Sequence, residues 1–600
     1  MAARASRGKG NGLRDKDIVG TGGETRSSGL WGTGRGGRGS EGRRAAVRRG
    51  LLALLALALA APLAASAGDG GGSSSYRPSY LAPSLKRAAE HTPDASVEVI
   101  VQSDTGASRA ESMLDRYDAD SSTRLGIVDA AAGQLRAGDL TQLAERPGLV
   151  ITPDQPVVLD LGKDKASNGK KGNKGDHAGQ PESFSSNELW PAAVGVDQLW
   201  PQLAGTDKHS KGKPDAPTIA FVDSGLDATR SDFGDRVLAQ VNLSSLPGNS
   251  PGDGRGHGTI VAGLAAGSAP NHAGAAPTAG IVSLDVMDDQ GMARTSDVIA
   301  AAQWILRNRK QYDIRVANFS LHSATASSFR WDPLDKAMEQ LWFSGVVVVT
   351  AAGNYGAVHK PVRMGFAPGN DPFVITVGAL DLKNSSNPDR ADVPAWSAWG
   401  YTYDGFAKPE LGAPGRSVLG PVPAGSTLAT ERPKQLESSP EGTYMRLSGT
   451  SLSAPIVAGV AADLLAVNPG LTPDRVKGAL MLTARDVRKV HTLAAGVGEA
   501  YAAGAAGVNS PPNPNRALDA YVVQDESGDG LVFDDVSWLD AIKSSPAWDA
   551  VSWLDGWSDA SWSLVSWSDV SWSDVSWSDV SWSDVSWSDV SWTDVYGDVG

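Results

Sequence analysis

The stretch Gly449-Thr450-Ser451-Leu452-Ser453-Ala454-Pro455-Ile456-Val457-Ala458-Gly459 decides the fold of this chain. Apolar residues from Ile456 onward recur at helical spacing, which predicts a buried helix. Ser451 lies among small residues where this helix begins, so we expect its hydroxyl to face a site. The first-turn N–H groups have no intrahelical acceptors, so they favour a developing oxyanion and also tolerate Pro455. A plain helix cap is the simpler interpretation of one serine, and the rest of the sequence overrides it.

A serine hydroxyl needs a base within hydrogen-bond reach and a third group that orients the base. Of the eight histidines, only His257 stands between glycines ahead of an apolar run, in residues 254–263. Asp223 ends the apolar run 218–222, which is typical of a buried strand. An acid at the carboxyl end of a parallel strand points into the crevice where open α/β sheets bind ligands. We therefore expect Asp223 to orient His257, and His257 to activate Ser451.

The order Asp223, His257, Ser451 is that of the subtilisin arrangement of the triad. The blocks Asp-Ser-Gly, Gly-His-Gly-Thr-x-Val-Ala-Gly and Gly-Thr-Ser-x-Ser-Ala-Pro-x-Val-Ala-Gly resemble the signatures of the subtilisin-like serine peptidase family, the subtilases. The resemblance covers about residues 95–160 and 189–507. It implies a serine endopeptidase that hydrolyses peptide bonds of proteins through an acyl-enzyme.

Further site residues are implied by this resemblance. Asn354, after the apolar run 346–350, resembles the oxyanion-hole asparagine of the family, with the Ser451 N–H as the second donor. His322 stands beside the substrate strand where a glycine is common, so a broad apolar preference is in doubt; an exposed loop histidine is the alternative. The positions that match substrate-binding residues of the family are Ser320, Leu321 and Gly353.

Short apolar segments alternate with helix-like segments across the region of the resemblance. Such alternation predicts an α/β fold, with a parallel β-sheet and helices on both faces. A subtilisin-like fold is the form that the resemblance implies. The predicted strands are residues 218–222, 281–286, 314–319, 346–350 and 373–377, and a clear helix is predicted over 296–309.

Residues 95–161 carry a small α+β pattern of their own. Their place before the catalytic blocks resembles an inhibitory propeptide, which implies that the chain's own propeptide is an inhibitor and that the chain is made as a self-processing zymogen. A free-standing α+β adaptor is the alternative. Residues 162–186 are rich in Lys and Gly, which predicts a flexible linker. If the enzyme cuts itself during maturation, we expect the cut in this linker.

Composition and charge place the chain among soluble globular proteins with unusual ends. The net charge of −14 comes largely from an acidic C-terminal region, and no basic face suggests nucleic acid. Arginines 43, 44, 48 and 49 precede an apolar run that ends at Ala67, which predicts a secretory signal and a secreted or cell-envelope associated, extracellular protein. The chain has no Cys, which fits a bacterial exported protein without disulfides.

No cofactor is expected from the sequence, and no metal site is predicted. Members of the family often bind calcium, but no dense Asp/Glu loop fixes a site here. The segment Asp525-Glu526-Ser527-Gly528-Asp529-Gly530 only suggests such a loop.

The C-terminal region repeats a short unit whose period suits neither an α-helix nor a β-strand. From Ser561 to Val595 the chain repeats every five residues, mostly as Ser-Trp-Ser-Asp-Val. Successive tryptophans would alternate faces on a strand and advance by about 140° on a helix, so neither element buries them in one stripe. We expect no independent fold. Tryptophans spaced by Ser and Asp suit contact with cell wall or polysaccharide, or pairing with copies of themselves.

Two other functions stay open at this point. One is an inactive binding or anchoring scaffold that acts through the repeat tail. The other is an esterase or lipase, but that class carries Gly-x-Ser-x-Gly and has its triad in the order Ser, Asp, His.

The expected domains are a disordered basic lead (1–42), a signal peptide (43–67), a linker (68–94), an inhibitor-like propeptide (95–161), a flexible linker (162–186), a subtilisin-like peptidase domain (187–510), a linker (511–535) and an acidic Trp-rich repeat tail (536–600).

Overall fold

A computed structural model describes most of the chain between residues 79 and 543. The predicted basic lead, the signal peptide, nearly all of the Lys- and Gly-rich linker, and the five-residue repeats lie outside the described residues. The described ranges are 79–117, 119–159, 161–162, 184–203, 216–357, 360–488, 490–491, 493–525 and 530–543.

The N-terminal unit, residues 79–158, is a helix-covered sheet. Five of its strands pair in the order β1-β5-β2-β4-β3, and all pairs except β1 with β5 are antiparallel. The segment 68–94, expected to be a linker, therefore contributes a strand and a helix to this unit. Its strand was not predicted because it pairs with a distant strand, β5. The elements are β1 Tyr80–Leu81, α1 Pro83–His91, β2 Ser96–Ser103, α2 Ala107–Arg116, β3 Asp120–Leu125, β4 Ala130–Arg136, α3 Leu140–Ala144, β5 Leu149–Pro153 and β6 Pro156–Val158.

The peptidase region begins with two short helices and continues as alternating strands and helices. Its first half comprises α4 Trp190–Val194, α5 Trp200–Leu203, β7 Thr218–Asp223, β8 Val237–Asn242, α6 His257–Ala266, β9 Ile281–Asp285, β10 Met292–Arg294, α7 Thr295–Asn308, β11 Ile314–Phe319, β12 His322–Ser323, α8 Pro333–Phe343 and β13 Val347–Ala351. The second half comprises β14 Val362–Arg363, β15 Ile375–Leu380, β16 Gly400–Tyr401, β17 Ala407–Lys408, β18 Leu411–Pro414, β19 Val418–Pro421, α9 Thr427–Glu431, β20 Leu436–Ser439, β21 Gly442–Leu447, α10 Thr450–Val467, α11 Pro473–Thr483 and α12 Ala502–Ala506.

A seven-stranded sheet in the order β18-β15-β13-β11-β7-β9-β8 forms the centre, and all of its neighbouring strands are parallel. The expected α/β fold with a parallel sheet is therefore confirmed. All five predicted strands belong to this sheet, while its two edge strands, β8 and β18, were not predicted. Helices α6 and α10 pack on each other and on the sheet.

Helix α10 is apolar on every side. Among the described helices it is long and apolar enough to cross a membrane by length and composition alone. Every residue from Thr450 to Leu465 is buried within the protein, however. The helix therefore acts as the central core helix, with only its first turn next to a cleft.

The C-terminal end differs from the expected boundaries. Residues 511–525 and 530–543, expected as a linker and the start of the repeat tail, pack on the peptidase region, where Phe533 and Trp538 bury their rings. The elements here are α13 Arg516–Asp519, β22 Val522–Gln524, β23 Leu531–Phe533 and α14 Asp535–Lys543.

Candidate active site

Three elements bring the predicted triad together. Asp223 is the last residue of β7, His257 the first of α6, and Ser451 the second of α10. The His257 Nδ1 lies 2.8 Å from Asp223 Oδ1, and its Nε2 lies 3.1 Å from Ser451 Oγ. A carboxylate only accepts hydrogen bonds, so Nδ1 carries the ring proton and Nε2 is free to accept the serine proton.

The glycines around His257 permit a close approach between α6 and the loop after β7. A Cβ added to Gly258 would collide with the Gly225 carbonyl oxygen. Gly256 has a φ of +92°, which L side chains rarely adopt. Both glycines are therefore needed to hold the imidazole beside Asp223.

Asp253 is a buried carboxylate that the sequence analysis missed. Its Oδ1 accepts hydrogen bonds from Ser224 Oγ at 2.9 Å and Gly256 N at 2.6 Å, and its Oδ2 accepts two from Thr259, at 2.8 and 2.6 Å. Burial raises the pKa of Asp253, and these hydrogen bonds oppose the rise. The carboxyl group thus ties the loop after β7 to the first turn of α6. Its position four residues before His257 is the signal that could have found it.

The position of Pro455 differs from the expectation. Pro455 lies in the second turn of α10 rather than the first, so the Ser451 carbonyl loses its intrahelical donor. Ser320 Oγ donates to that carbonyl instead, at 2.8 Å, and accepts from Asn318 Nδ2 at 2.9 Å. The Ser320 side chain therefore supports the backbone of Ser451 rather than reaching outward to a substrate.

Asn354 lies beside Ser451 in a fixed orientation. Its Oδ1 accepts from Thr450 N at 2.9 Å, which fixes the orientation of the amide and places Nδ2 on its other side. A Cβ added to Gly449 would lie 3.0 Å from Ser451 Oγ and 3.6 Å from Asn354 Nδ2, so both groups border the same space. Gly353 N donates to Thr450 Oγ1 at 3.0 Å, and its φ of +96° requires glycine.

Leu321 and His322 lie at the edge of the cleft. Leu321 is buried, whereas His322 is half-buried on β12, so it is not the exposed loop residue of the alternative interpretation. The His322 ring lies 5.8 Å from that of Tyr355 and 5.5 Å from that of Phe366, and its Nδ1 donates to the Ser323 carbonyl at 2.8 Å. This arrangement leaves Nε2 as an acceptor beside the cleft.

The segment after the N-terminal sheet runs through this cleft. Strand β6 pairs antiparallel with β10 on one side and with β12 on the other. Beyond it, Leu159 N donates to Gly291 O at 3.2 Å and Gly162 N donates to Ser448 O at 2.8 Å. The described residues on both sides of position 160 are therefore held through their backbone N–H groups.

A second carboxyl group lies beside Asp223 in the sheet. Asp285 is the register partner of Asp223 on β9. Burial raises the pKa of Asp285 to about 7, the charges of Asp253 and Asp223 add to the rise, and hydrogen bonds from Asn249 and Met287 N oppose it. This carboxyl is therefore mostly neutral well below pH 7.

Acidic side chains of the described residues form no cluster that would mark a calcium site. Nowhere in this part of the chain do three or more His, Asp or Glu side chains come together as metal ligands. Most of the suggested loop, residues 526–529, lies outside the described residues.

Comparisons with known proteins identify relatives of the peptidase region. The subtilase family model matches residues 215–504. Serine protease AprX of Bacillus subtilis (strain 168) is 33% identical over 273 residues, which cover 44% of this chain and 60% of AprX. A subtilisin of Bacillus pumilus is 34% identical over 281 residues, which cover 46% of this chain and 86% of that protein.

A solved structure agrees at the level of the fold. Fervidolysin from Fervidobacterium pennivorans, a keratinolytic enzyme related to subtilisin, superposes with a TM-score of 0.52 at 24% identity. The match covers 70% of this chain and 62% of fervidolysin, so the chain spans less than two thirds of both AprX and fervidolysin. Because the chain also covers most of a subtilisin at this identity, and carries its motifs in the same order, it belongs to the subtilase family of serine proteases.

Proposed function

We propose that this chain is a secreted serine endopeptidase that cuts peptide bonds of proteins with the triad Asp223, His257 and Ser451. The observation that carries the proposal is the 3.1 Å approach of His257 Nε2 to Ser451 Oγ, with the other ring nitrogen held by Asp223. Secretion rests on the signal-like residues 43–67. Protein substrates are supported by the names of the relatives.

The reaction is acyl transfer. His257 Nε2 takes the Ser451 proton as the hydroxyl oxygen attacks the peptide carbonyl carbon, and then gives the proton to the leaving amine. Asp223 holds the imidazole tautomer and stabilises the imidazolium that forms. Water then attacks the acyl-enzyme, with His257 again as the base. General acid–base catalysis of this kind contributes about 10²–10⁴-fold.

The oxyanion of the tetrahedral intermediate is stabilised by two donors, Asn354 Nδ2 and the Ser451 N–H. The Ser451 N–H belongs to the first turn of α10 and has no intrahelical acceptor. Asn354 cannot rotate its amide without losing the hydrogen bond from Thr450 N. Such preorganised donors are each worth about 10²–10³-fold in kcat, a range measured by mutation of the oxyanion-hole asparagine of a subtilisin.

We propose further that the chain is a zymogen that processes itself, with the N-terminal unit as its inhibitor. The proposal is supported by β6, which lies between two strands of the cleft as a substrate would. The unit is also anchored away from the cleft, where Tyr80 stacks on Trp331 at 4.7 Å and Asp154 accepts two hydrogen bonds from Ser296. A bound unit of this kind excludes other substrates from the cleft.

The register of the segment suggests where the chain is cut. Leu159 N is held by Gly291 O, and Gly162 N by Ser448 O, three residues before Ser451; we propose that the bond offered to Ser451 lies between Leu159 and Gly162. This position lies just before the linker 162–186, within which the cut was expected from the sequence.

Turnover of a protein substrate, such as casein, tests the peptidase proposal directly. Wild-type chain should hydrolyse it, and a fluorophosphonate probe should label Ser451. Ser451→Ala should lose both signals, while Ser453→Ala, two residues further along the same helix, should keep them. Hydrolysis of esters without hydrolysis of any peptide would instead favour the esterase class. Absence of any turnover or labelling in folded protein would favour the inactive scaffold.

A further inference from the structure

The peptidase region holds a C-terminal segment in an aromatic pocket. Trp538, on α14, is 2% exposed. Its ring lies 5.9 Å from that of Phe406, in a near-parallel stack, and 5.8 Å from those of Phe329 and Phe533. A buried tryptophan removes about 150–250 Å² from water, so it dominates the energetics of such a contact.

A second anchor lies three residues before this tryptophan. Asp535 is 4% exposed, and its Oδ2 accepts from Arg330 Nε at 3.0 Å and Nη2 at 2.9 Å. Residues three apart lie on the same face of a helix, so Asp535 and Trp538 enter the peptidase region side by side. Loss of either charge would break this buried ion pair, which is strongly destabilising. The pocket therefore selects an Asp followed three residues later by a Trp.

The residues between the two anchors contribute little to the contact. Val536 is half-buried and Ser537 is exposed. Ser537 bonds only to Asp534, with its N at 3.0 Å and its Oγ at 2.5 Å from that carboxylate. Within the tetrapeptide Asp-Val-Ser-Trp, the first and last residues thus make the contact, and Ile542, one helical turn further on, is also buried.

The same tetrapeptide recurs in the repeat tail. Beyond residue 543, Val-Ser-Trp occurs seven times, and in five of these copies it follows an Asp. The five complete copies are residues 569–572, 574–577, 579–582, 584–587 and 589–592. Each copy carries both anchors at the spacing that the pocket accepts.

We propose that the repeat tail is a series of ligands for the pocket of Phe329, Arg330, Phe406 and Phe533, and that a tail copy takes the place of residues 535–538 when they leave it. None of the described residues accepts a hydrogen bond from the buried Trp538 Nε1. A buried donor without an acceptor weakens the docked state, so residues 535–538 leave the pocket more readily. The pocket and its ligands all lie outside the triad, so this proposal does not depend on the peptidase activity.

Thermal unfolding of four full-length chains tests the proposal, all with Ser451→Ala so that no chain can cut another. The chains combine Trp538 or Trp538→Ala with an intact tail or a silenced tail. The silenced tail carries the substitutions Trp553→Ala, Trp567→Ala, Trp572→Ala, Trp577→Ala, Trp582→Ala, Trp587→Ala and Trp592→Ala.

If tail copies refill the pocket, Trp538→Ala should lower Tm by at most half as much with the intact tail as with the silenced tail. A Trp538→Ala chain that folds only with the intact tail would support the proposal equally. An equal fall in Tm in the chains with the intact and the silenced tail would overturn the proposal.

A peptide keeps the test decisive if both Trp538→Ala chains fail to fold. The silenced chain with the milder Trp538→Phe is then mixed with the peptide Ser-Asp-Val-Ser-Trp-Ser-Asp. The peptide should raise Tm in a concentration-dependent way, and the matched peptides with Trp→Ala or with Asp→Asn before the Val should not. Absence of a shift at millimolar peptide would overturn the proposal.

Discussion

Two segments from opposite ends of the chain pack on the peptidase region in opposite ways. Strand β6 is held in the cleft by backbone pairing on both sides. Helix α14 is held by side chains, with Trp538 in an aromatic pocket and Asp535 on Arg330. Backbone pairing accepts many sequences, as a protease must, whereas a pocket for one ring and one charge accepts few. The difference separates a segment to be cut and released from a segment to be recognised.

The largest expected effect comes from the side-chain contact. Phe406→Ala removes a ring that stacks on Trp538 and lies 5.8 Å from the ring of Phe329. Truncation of a buried Phe costs about 3–5 kcal/mol of unfolding free energy, which denaturant titration measures. Leu531→Ala, at an exposed residue of the same segment, is the control and should cost about 0.5 kcal/mol or less. Similar losses in the two variants would contradict the pocket.

The next-largest expected effect is on the rate at which Ser451 cleaves the segment that the cleft holds by its backbone. Asn354→Ala removes one oxyanion donor, so self-cleavage and kcat should both fall by about 10²–10³-fold. Progress curves of cutting and steady-state kinetics measure the two rates. An effect on KM alone would show that Asn354 binds substrate rather than the transition state.

The anchor of the N-terminal unit should depend on pH. Burial at Ser296 raises the pKa of Asp154 to about 6 in the bound state, whereas a released, solvated Asp titrates near 4. Binding then favours the protonated form, so affinity should fall as pH rises from 4 to 6, by up to about 100-fold, and level off above 6. Activity released by dilution of the cut complex measures this.

Asp154→Asn should flatten that dependence, because the amide does not titrate. Asp94→Asn, at a carboxylate whose side chain is 90% exposed, should leave it unchanged. An unchanged slope in Asp154→Asn would assign the pH dependence to another group.

The smallest effect tests the backbone contact itself. Leu159→Pro removes the N–H that donates to Gly291 O. One lost hydrogen bond of about 1–1.5 kcal/mol should slow self-cleavage by about tenfold. Leu159→Val keeps the N–H and should cut at nearly the wild-type rate. A larger effect of the valine than of the proline would mean that the side chain, not the backbone, is read.

The sequence predicted best what depends on local patterns. Asp223, His257 and Ser451 each stand in a distinctive motif, and buried strands such as β13 are continuous apolar runs. The edge strands gave weaker signals, because β8 is half-exposed along its length and β18 contains Gly and Pro. Patterns in a single sequence therefore predicted the central strands of the sheet but not its two edge strands.

Features that depend on distant contacts could not be predicted in this way. Ser320 supports the Ser451 carbonyl only because Pro455 removes a donor, and the chain brings Ser320 there from 131 residues away. Trp538 follows Asp-Val-Ser, as do five tail tryptophans, and its burial depends on Phe329 and Phe406, which lie far away in the chain. The tail boundary predicted at residue 536 therefore lies too early in the chain.

The most direct test of the account is intact mass over time for the chain from Gly68 onward, with wild type beside Ser451→Ala. The account predicts that only the wild type loses an N-terminal fragment, which ends between Leu159 and Gly162 or within the following linker. If both chains stay whole while folded, or if both lose the same fragment, Ser451 does not cut the segment in the cleft and the central claim is contradicted.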